Sequence, residues 1–210
     1  MLTLSVCASK GGVGKTTLAA SLAVAASEDK MQVGIIDIDP QQSLARWWEL
    51  RGSPDNPRLV TGFKDLADAI AKMQEHGFDL AVIDTPPALM SRLEPAIEVA
   101  DFVLVPAQPS PLDVEAIDPI VSLAKQYGRS FAFVLNRAEG RDTLTKGAED
   151  YLKVDGEVLQ ELIGNRKAFR AAMTDGKTGA EIERGKAREE IAALWAAVKK
   201  RMRRNARKAA

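Results

Sequence analysis

Five short apolar runs punctuate the chain: Leu2–Ala8, Val33–Asp37, Leu80–Asp84, Phe102–Val105 and Phe131–Leu135. Each is nearly continuous rather than alternating. A strand with one wet face alternates apolar and polar side chains, whereas a strand covered on both faces has no need to. The runs therefore read as parallel strands lying between two layers. The stretches between them place apolar residues three and four apart, the spacing of one helix face. Thr16–Glu28 follows the first run as a helix. Phe63, Leu66, Ile70 and Met73 form a second such series, stopped by Gly77. Ile117, Ile120, Val121 and Ala124 form a third, ending before Gly128. Strand and helix alternating in this way predict a doubly wound, mostly parallel α/β sheet flanked by helices. Beyond Asn136 the pattern weakens. Residues 137–147 read as a polar loop entering a short helix, and 156–163 as a last strand. A final helix is predicted over about 187–204, with Ile191, Leu194, Trp195, Val198 and Met202 on one face. No repeat or low-complexity linker divides the chain, so 1–210 is expected to be a single domain with a basic C-terminal helix or tail over about 187–210.

Charge alters this picture at one place. The 210 residues hold 29 Lys plus Arg and 29 Asp plus Glu, a net charge of zero. Yet Lys199, Lys200, Arg201, Arg203, Arg204, Arg207 and Lys208 crowd the last twelve positions with no acid among them. A basic tail on an acidic body points to an anionic partner. Cys7 is the one cysteine, which excludes a disulfide framework or a four-cysteine metal site within the chain. The N-terminal residues lack a basic segment followed by a long apolar one, and no run of about 18 apolar residues occurs. The expected location is cytoplasmic.

The candidate chemistry begins at Ser9-Lys10-Gly11-Gly12-Val13-Gly14-Lys15-Thr16-Thr17, between the first strand and the first helix. Glycines let a backbone turn tightly and aim its N–H groups at phosphate oxygens, and a helix N-terminus adds its positive dipole end. Lys15 is placed to reach β- and γ-phosphates and the Thr16 hydroxyl to bind Mg²⁺. The fold class is therefore an α/β P-loop NTPase. Two further carboxylate segments end strands, where ligands of doubly wound sheets bind. Asp37 and Asp39 in Asp-Ile-Asp-Pro-Gln lie two apart, on one face of a strand. Their alternative role is to cap the helix that follows. Asp84, after four apolar residues, is set to hold Mg²⁺.

Lys-Gly-Gly-Val-Gly-Lys-Thr-Thr departs from the general phosphate-loop pattern and resembles the deviant Walker A motif of the ParA/MinD ATPases. The resemblance covers about residues 2–136. Pro-Ser-Pro-Leu-Asp, from Pro109 to Asp113, is similar to a loop of the short, ParF-like partition members. The resemblance implies ATP/ADP and Mg²⁺ as cofactors, and a homodimer formed over ATP. It implies that Lys10 contacts the nucleotide of the other subunit and that Asp39 orients the attacking water. Asp37 would support the Mg²⁺ shell with Thr16 and Asp84, Pro109 would border the nucleotide and dimer face, and Asn136 would lie near the adenine. Backbone around Ile163–Asn165 would complete the adenine pocket. It further implies non-specific DNA binding, nucleoid association and stimulation by a ParB-like or adaptor protein. With no arginine finger evident in cis, slow intrinsic turnover is expected. Because no helix-turn-helix segment precedes the first strand, sequence-specific operator binding is not. Candidate DNA contacts are Arg166, Lys167, Arg170, Arg184, Lys186, Arg188 and the tail. The rival readings are a MinD-like positioning ATPase on a membrane surface and a small-molecule kinase or ligase on the same fold. Of Trp47 and Trp48, one is expected to pack and one to be exposed; His76 is expected to cap a helix end.

Overall fold

The computed structural model describes residues 1–87, 90–110 and 117–209. Seven strands, β1 (Leu2–Val6), β2 (Val33–Asp37), β3 (Arg58–Leu59), β4 (Leu80–Asp84), β5 (Phe102–Ala107), β6 (Phe131–Ala138) and β7 (Glu157–Gly164), pair in parallel throughout. Their order is β3-β2-β4-β1-β5-β6-β7. The chain winds outward from β1 in one direction, returns, and then winds outward in the other. The reversal falls beside β1, and the loops after β1, β2, β4, β5 and β6 therefore emerge on one rim of the sheet. In an open parallel sheet this rim at the topological switch is where ligands bind.

The helices are α1 (Lys15–Glu28), α2 (Ser43–Leu50), α3 (Leu66–Glu75), α4 (Met90–Glu98), α5 (Asp118–Gln126), α6 (Thr143–Leu152), α7 (Lys167–Met173), α8 (Gly179–Ile182) and α9 (Lys186–Ala209). Successive strand residues serve opposite layers. Leu4, Val6, Val82, Leu104 and Val134 pack with α1, α2, α7 and α9. Val103, Val105, Phe133 and Leu135 pack with α4, α5 and α6, while Ile36, Ala81 and Ile83 meet α3. Both faces are dry, which is why the strands read as unbroken apolar runs.

Several elements lie outside the predicted pattern. Helix α2 is only eight residues long with two fully buried side chains, and α4 contains Pro95, so neither carries a long periodic signal. Strand β3 has two residues. Strand β6 continues past Leu135 to Ala138, and α6 starts at Thr143 with the Asp142 carboxylate accepting from Thr145 N at 2.8 Å. Helix α9 is longer than predicted, at 24 residues. Trp47 is buried as expected of one tryptophan of the pair, but Trp48 is half-buried too, its indole donating to Pro57 O at 2.9 Å. His76 does end a helix: its Nδ1 lies 2.7 Å from Lys72 O.

Candidate nucleotide-binding site

The loop between β1 and α1 closes with Gly14 at the N-cap of α1, in the left-handed region at φ 96°. That conformation and the space around it both demand glycine. A Cβ at Gly14 would collide with the side-chain amide of Asn136. Asn136, at the end of β6, donates from Nδ2 to Val13 O at 2.6 Å and accepts from Arg137 N at 2.9 Å. Only 5% of its surface is exposed. The asparagine thus braces the glycine loop from behind, and its amide sits where the loop meets a small crevice. Gly14, Ile163, Gly164, Asn165 and Phe169 line that crevice. Asn136 and the Ile163–Asn165 backbone, placed together in the sequence reading, do converge here.

Lys15 is buried, with 6% exposure, and its ammonium donates to Lys10 O at 3.2 Å. Burial drives its pKa down, while Asp84 and Asp39 pull it back up. An ammonium in this position gains from an anion that replaces its lost water. Thr16 Oγ1 donates to Asp84 Oδ2 at 2.6 Å. Asp84 is fully buried and its other oxygen, Oδ1, has no hydrogen-bond partner. Burial pushes its pKa up to about 7, against the Thr16 hydrogen bond and with Asp37 adding repulsion. A buried carboxylate with an orphaned oxygen beside a threonine hydroxyl fits a hard divalent cation. Among the described residues no cluster of three or more His, Cys, Asp or Glu stands ready to hold a metal. Mg²⁺ here would complete its shell with water and phosphate oxygens, as that ion does elsewhere.

Asp37 and Asp39 divide their labour. Asp37 stands in register with Asp84 on the neighbouring strand. Its Oδ2 accepts from Leu44 N (2.9 Å) and Ala45 N (3.0 Å), and its Oδ1 from Asp39 N (3.0 Å). Burial raises its pKa, and these three backbone donors oppose the rise. Asp37 therefore caps the start of α2, the alternative left open by the sequence. Asp39 accepts from Gln41 N at 2.9 Å and lines the cavity over the phosphate loop. That cavity measures about 630 Å³ and is also lined by Gly11, Gly12, Lys15, Thr16 and Thr17.

Lys10 is half-buried at the loop's rim, and Pro109 faces α6 rather than the phosphate loop, lining a separate cavity with Leu144 and Tyr151. The neighbouring Gln108 reaches the loop instead, donating to Gly12 O at 3.3 Å. Pro111, Leu112 and Asp113 of the same motif lie outside the described residues. Arg46 and Arg137 both line the 630 Å³ cavity, although no arginine was evident there from sequence. Arg137 holds a left-handed backbone at φ 56° without being glycine. Only its position after Asn136 hinted at a role. Among the candidate DNA contacts, Arg166 is committed elsewhere. It pairs with Glu190 through Nε at 3.0 Å and Nη2 at 2.5 Å.

Fold and site together define a nucleotide-binding protein of the phosphate-loop class. The chain belongs to the CobQ/CobB/MinD/ParA nucleotide-binding domain family, whose profile matches residues 4–178. It is 30% identical over 183 residues to the maintenance of carboxysome distribution protein A of Halothiobacillus neapolitanus, covering 83% of this chain and 84% of that protein. It is 26% identical over 210 residues to the chromosome-partitioning ATPase Soj of Thermus thermophilus, covering 82% and 84%. In fold it is similar to the MinD cell division protein of Aquifex aeolicus, with a TM-score of 0.77, 18% identity and 94% and 96% of the two chains covered. Apo McdA from Cyanothece gives 0.71, 20% identity and 96% and 99% coverage.

Proposed function

We propose that this chain is a Mg²⁺-dependent ATPase that dimerises over ATP, tethers to DNA without sequence preference and positions cargo in the cell. The observation that carries the nucleotide chemistry is the buried Asp84 with its orphaned oxygen, set between Thr16 and Lys15 at the mouth of the glycine loop. Support for positioning comes from the similarity to the carboxysome distribution protein and to Soj.

In this reading the N–H groups of Gly11 to Thr17 cradle the phosphates and Lys15 neutralises them. Thr16 and Asp84 would hold Mg²⁺, which would supply positive charge against the phosphates. Asp39, on the cavity wall, orients the water that attacks the γ-phosphorus. The P–O bond to the β-phosphate breaks and ADP takes up the leaving charge. Lys10 reaches the nucleotide of a second copy, so that ATP joins two chains and hydrolysis parts them. A cargo-bound adaptor of the ParB kind accelerates the step. Cytoplasmic location on the nucleoid belongs to the same reading. Its MinD-like rival needs a lipid-facing apolar stripe on the last helix. Ile191, Leu194, Trp195, Val198 and Met202 are instead spent on the core, and no described helix is long and apolar enough to cross a membrane.

Light scattering tests the switch. With Mg²⁺ and an ATP analogue that resists hydrolysis, the wild type should run at twice its 22.7 kDa chain mass and Lys10→Ala at the single mass. A wild type that stays single under saturating analogue removes the dimer. DNA that binds equally well with ATP, ADP or no nucleotide removes the coupling.

A further inference from the structure

The C-terminal half of α9 carries two kinds of cation. Lys199 and Arg201 are paired: the Lys199 ammonium bonds Asp29, and the Arg201 guanidinium bonds Glu157. Lys200, Arg203 and Arg204 are exposed and have no ion pair among the described residues. Positions 196, 199, 200, 203 and 204 recur at the spacing of one helix face. With Asp29 and Trp195 they line an open hollow of about 870 Å³. The stripe spans eight helical steps, about 12 Å, against one phosphate per roughly 3.4 Å along a DNA strand.

Asp29 is the anomaly of this surface. It is the C-cap of α1, where the helix dipole disfavours a carboxylate. There it accepts from the Trp195 indole at 3.1 Å as well as from Lys199, and Lys199 stacks over the same indole at 5.9 Å. These bonds, that of Lys199 foremost and then that of Trp195, hold its carboxyl below the usual range. Among the residues that line this surface four cations thus meet one acid, Asp29, while Glu157 and Glu161 line the adjoining hollow beside Lys200.

We propose that the stripe Lys199, Lys200, Arg203 and Arg204 is the surface by which this chain grips the phosphodiester backbone of DNA, and that Asp29 is a built-in competitor that a DNA phosphate displaces from Lys199. The inference rests on the DNA-tethering reading above and adds where the contact lies and what limits its strength. A contact weakened from within releases readily when the paired chains part.

The experiment is fluorescence anisotropy with a duplex of arbitrary sequence, at several salt concentrations, with Mg²⁺ and the non-hydrolysable ATP analogue. The combined variant Lys200→Ala, Arg203→Ala and Arg204→Ala should bind at least about tenfold more weakly, with its log–log salt slope reduced by roughly three per bound chain. Asp29→Asn should bind severalfold more tightly, with a slope larger by roughly one. Circular dichroism checks that both variants keep the fold; all three alanine sites are exposed. Wild-type affinity and slope in the triple variant, or no gain in Asp29→Asn, overturns the proposal while leaving DNA tethering intact. Failure of the wild type to bind DNA in any nucleotide state overturns the tethering reading itself. Vesicles of anionic phospholipid form the other arm: a deficit of the triple variant on vesicles and not on DNA assigns the stripe to lipid and overturns the proposal.

Discussion

Asp84 shows the cost of a site held ready for a ligand. In the free protein its carboxyl titrates near 7, above its ordinary value, because burial disfavours its charge. An unfolded aspartate titrates near about 3.9. Between those values the unfolded chain gives up a proton that the folded chain retains. This group therefore lowers folding stability as pH rises from about 4 to 7, and the loss is complete above 7. Asp84→Asn removes the charge and with it the slope. Without metal or nucleotide the variant should match the wild type near pH 4 and exceed it above pH 7 by on the order of 1–3 kcal/mol. The same variant should lose Mg²⁺-dependent nucleotide binding by about tenfold or more. Thermal denaturation across that pH range measures the first effect; a pH-independent difference contradicts it. The carboxylate was legible in sequence as the end of an apolar run. Its orphaned oxygen was not, because solvation at a strand end depends on the three neighbouring loops.

Helix α2 is fixed at both ends by contacts that no local pattern announces. Asp37 caps its start. At its other end the Trp47 indole donates to Lys177 O at 3.0 Å, and Arg51 bonds Glu181 through both Nη atoms at 2.9 and 2.7 Å and Gly176 O at 3.0 Å. Gly176 adopts φ 65° directly against the Leu50 and Arg51 backbone, where a Cβ would collide. Gly176→Ala should therefore destabilise more than Arg51→Ala, although it deletes no contact. The strained backbone and the clash cost on the order of 2–4 kcal/mol. The Arg51 side chain, paired with Glu181, bonded to Gly176 O and lying over the Trp47 ring, is worth about 1–2 kcal/mol. Urea midpoints give the comparison, and a Gly176→Ala midpoint equal to wild type rules out the close docking. The partners of α2 lie about 125–130 positions away. Sequence spacing cannot report such contacts, which is why α2 escaped notice; Trp48 is held closer by, through Pro54 O and Pro57 O in the loop that follows α2. The long runs were legible since each strand buries both faces, a condition written into every residue.

At the scale of the molecule, the parallel winding of the sheet gathers the glycine loop, Asp39, Asp84, Gln108 and Asn136 onto one rim. Alternation of runs and helices is enough to foresee that rim. The basic stripe lies elsewhere. Helix α1 leaves the glycine loop at Lys15 and ends beside Asp29, a straight run of 14 residues or about 21 Å. The three tryptophans of the chain happen to sample this span. Trp47 lines the cavity beside Asp39, Trp48 is anchored to Pro54 O and Pro57 O, and Trp195 touches Asp29 and Lys199. The protein is thus equipped with its own fluorophores at opposite ends of one rod. In a Trp48→Phe background, adding nucleotide should change emission mainly through Trp47, and subsequent duplex addition mainly through Trp195. Replacing Trp47 or Trp195 in turn by Phe assigns each signal, and identical responses in the two variants would contradict that assignment. Arrival at one end and grip at the other would then be timed in a single unlabelled sample.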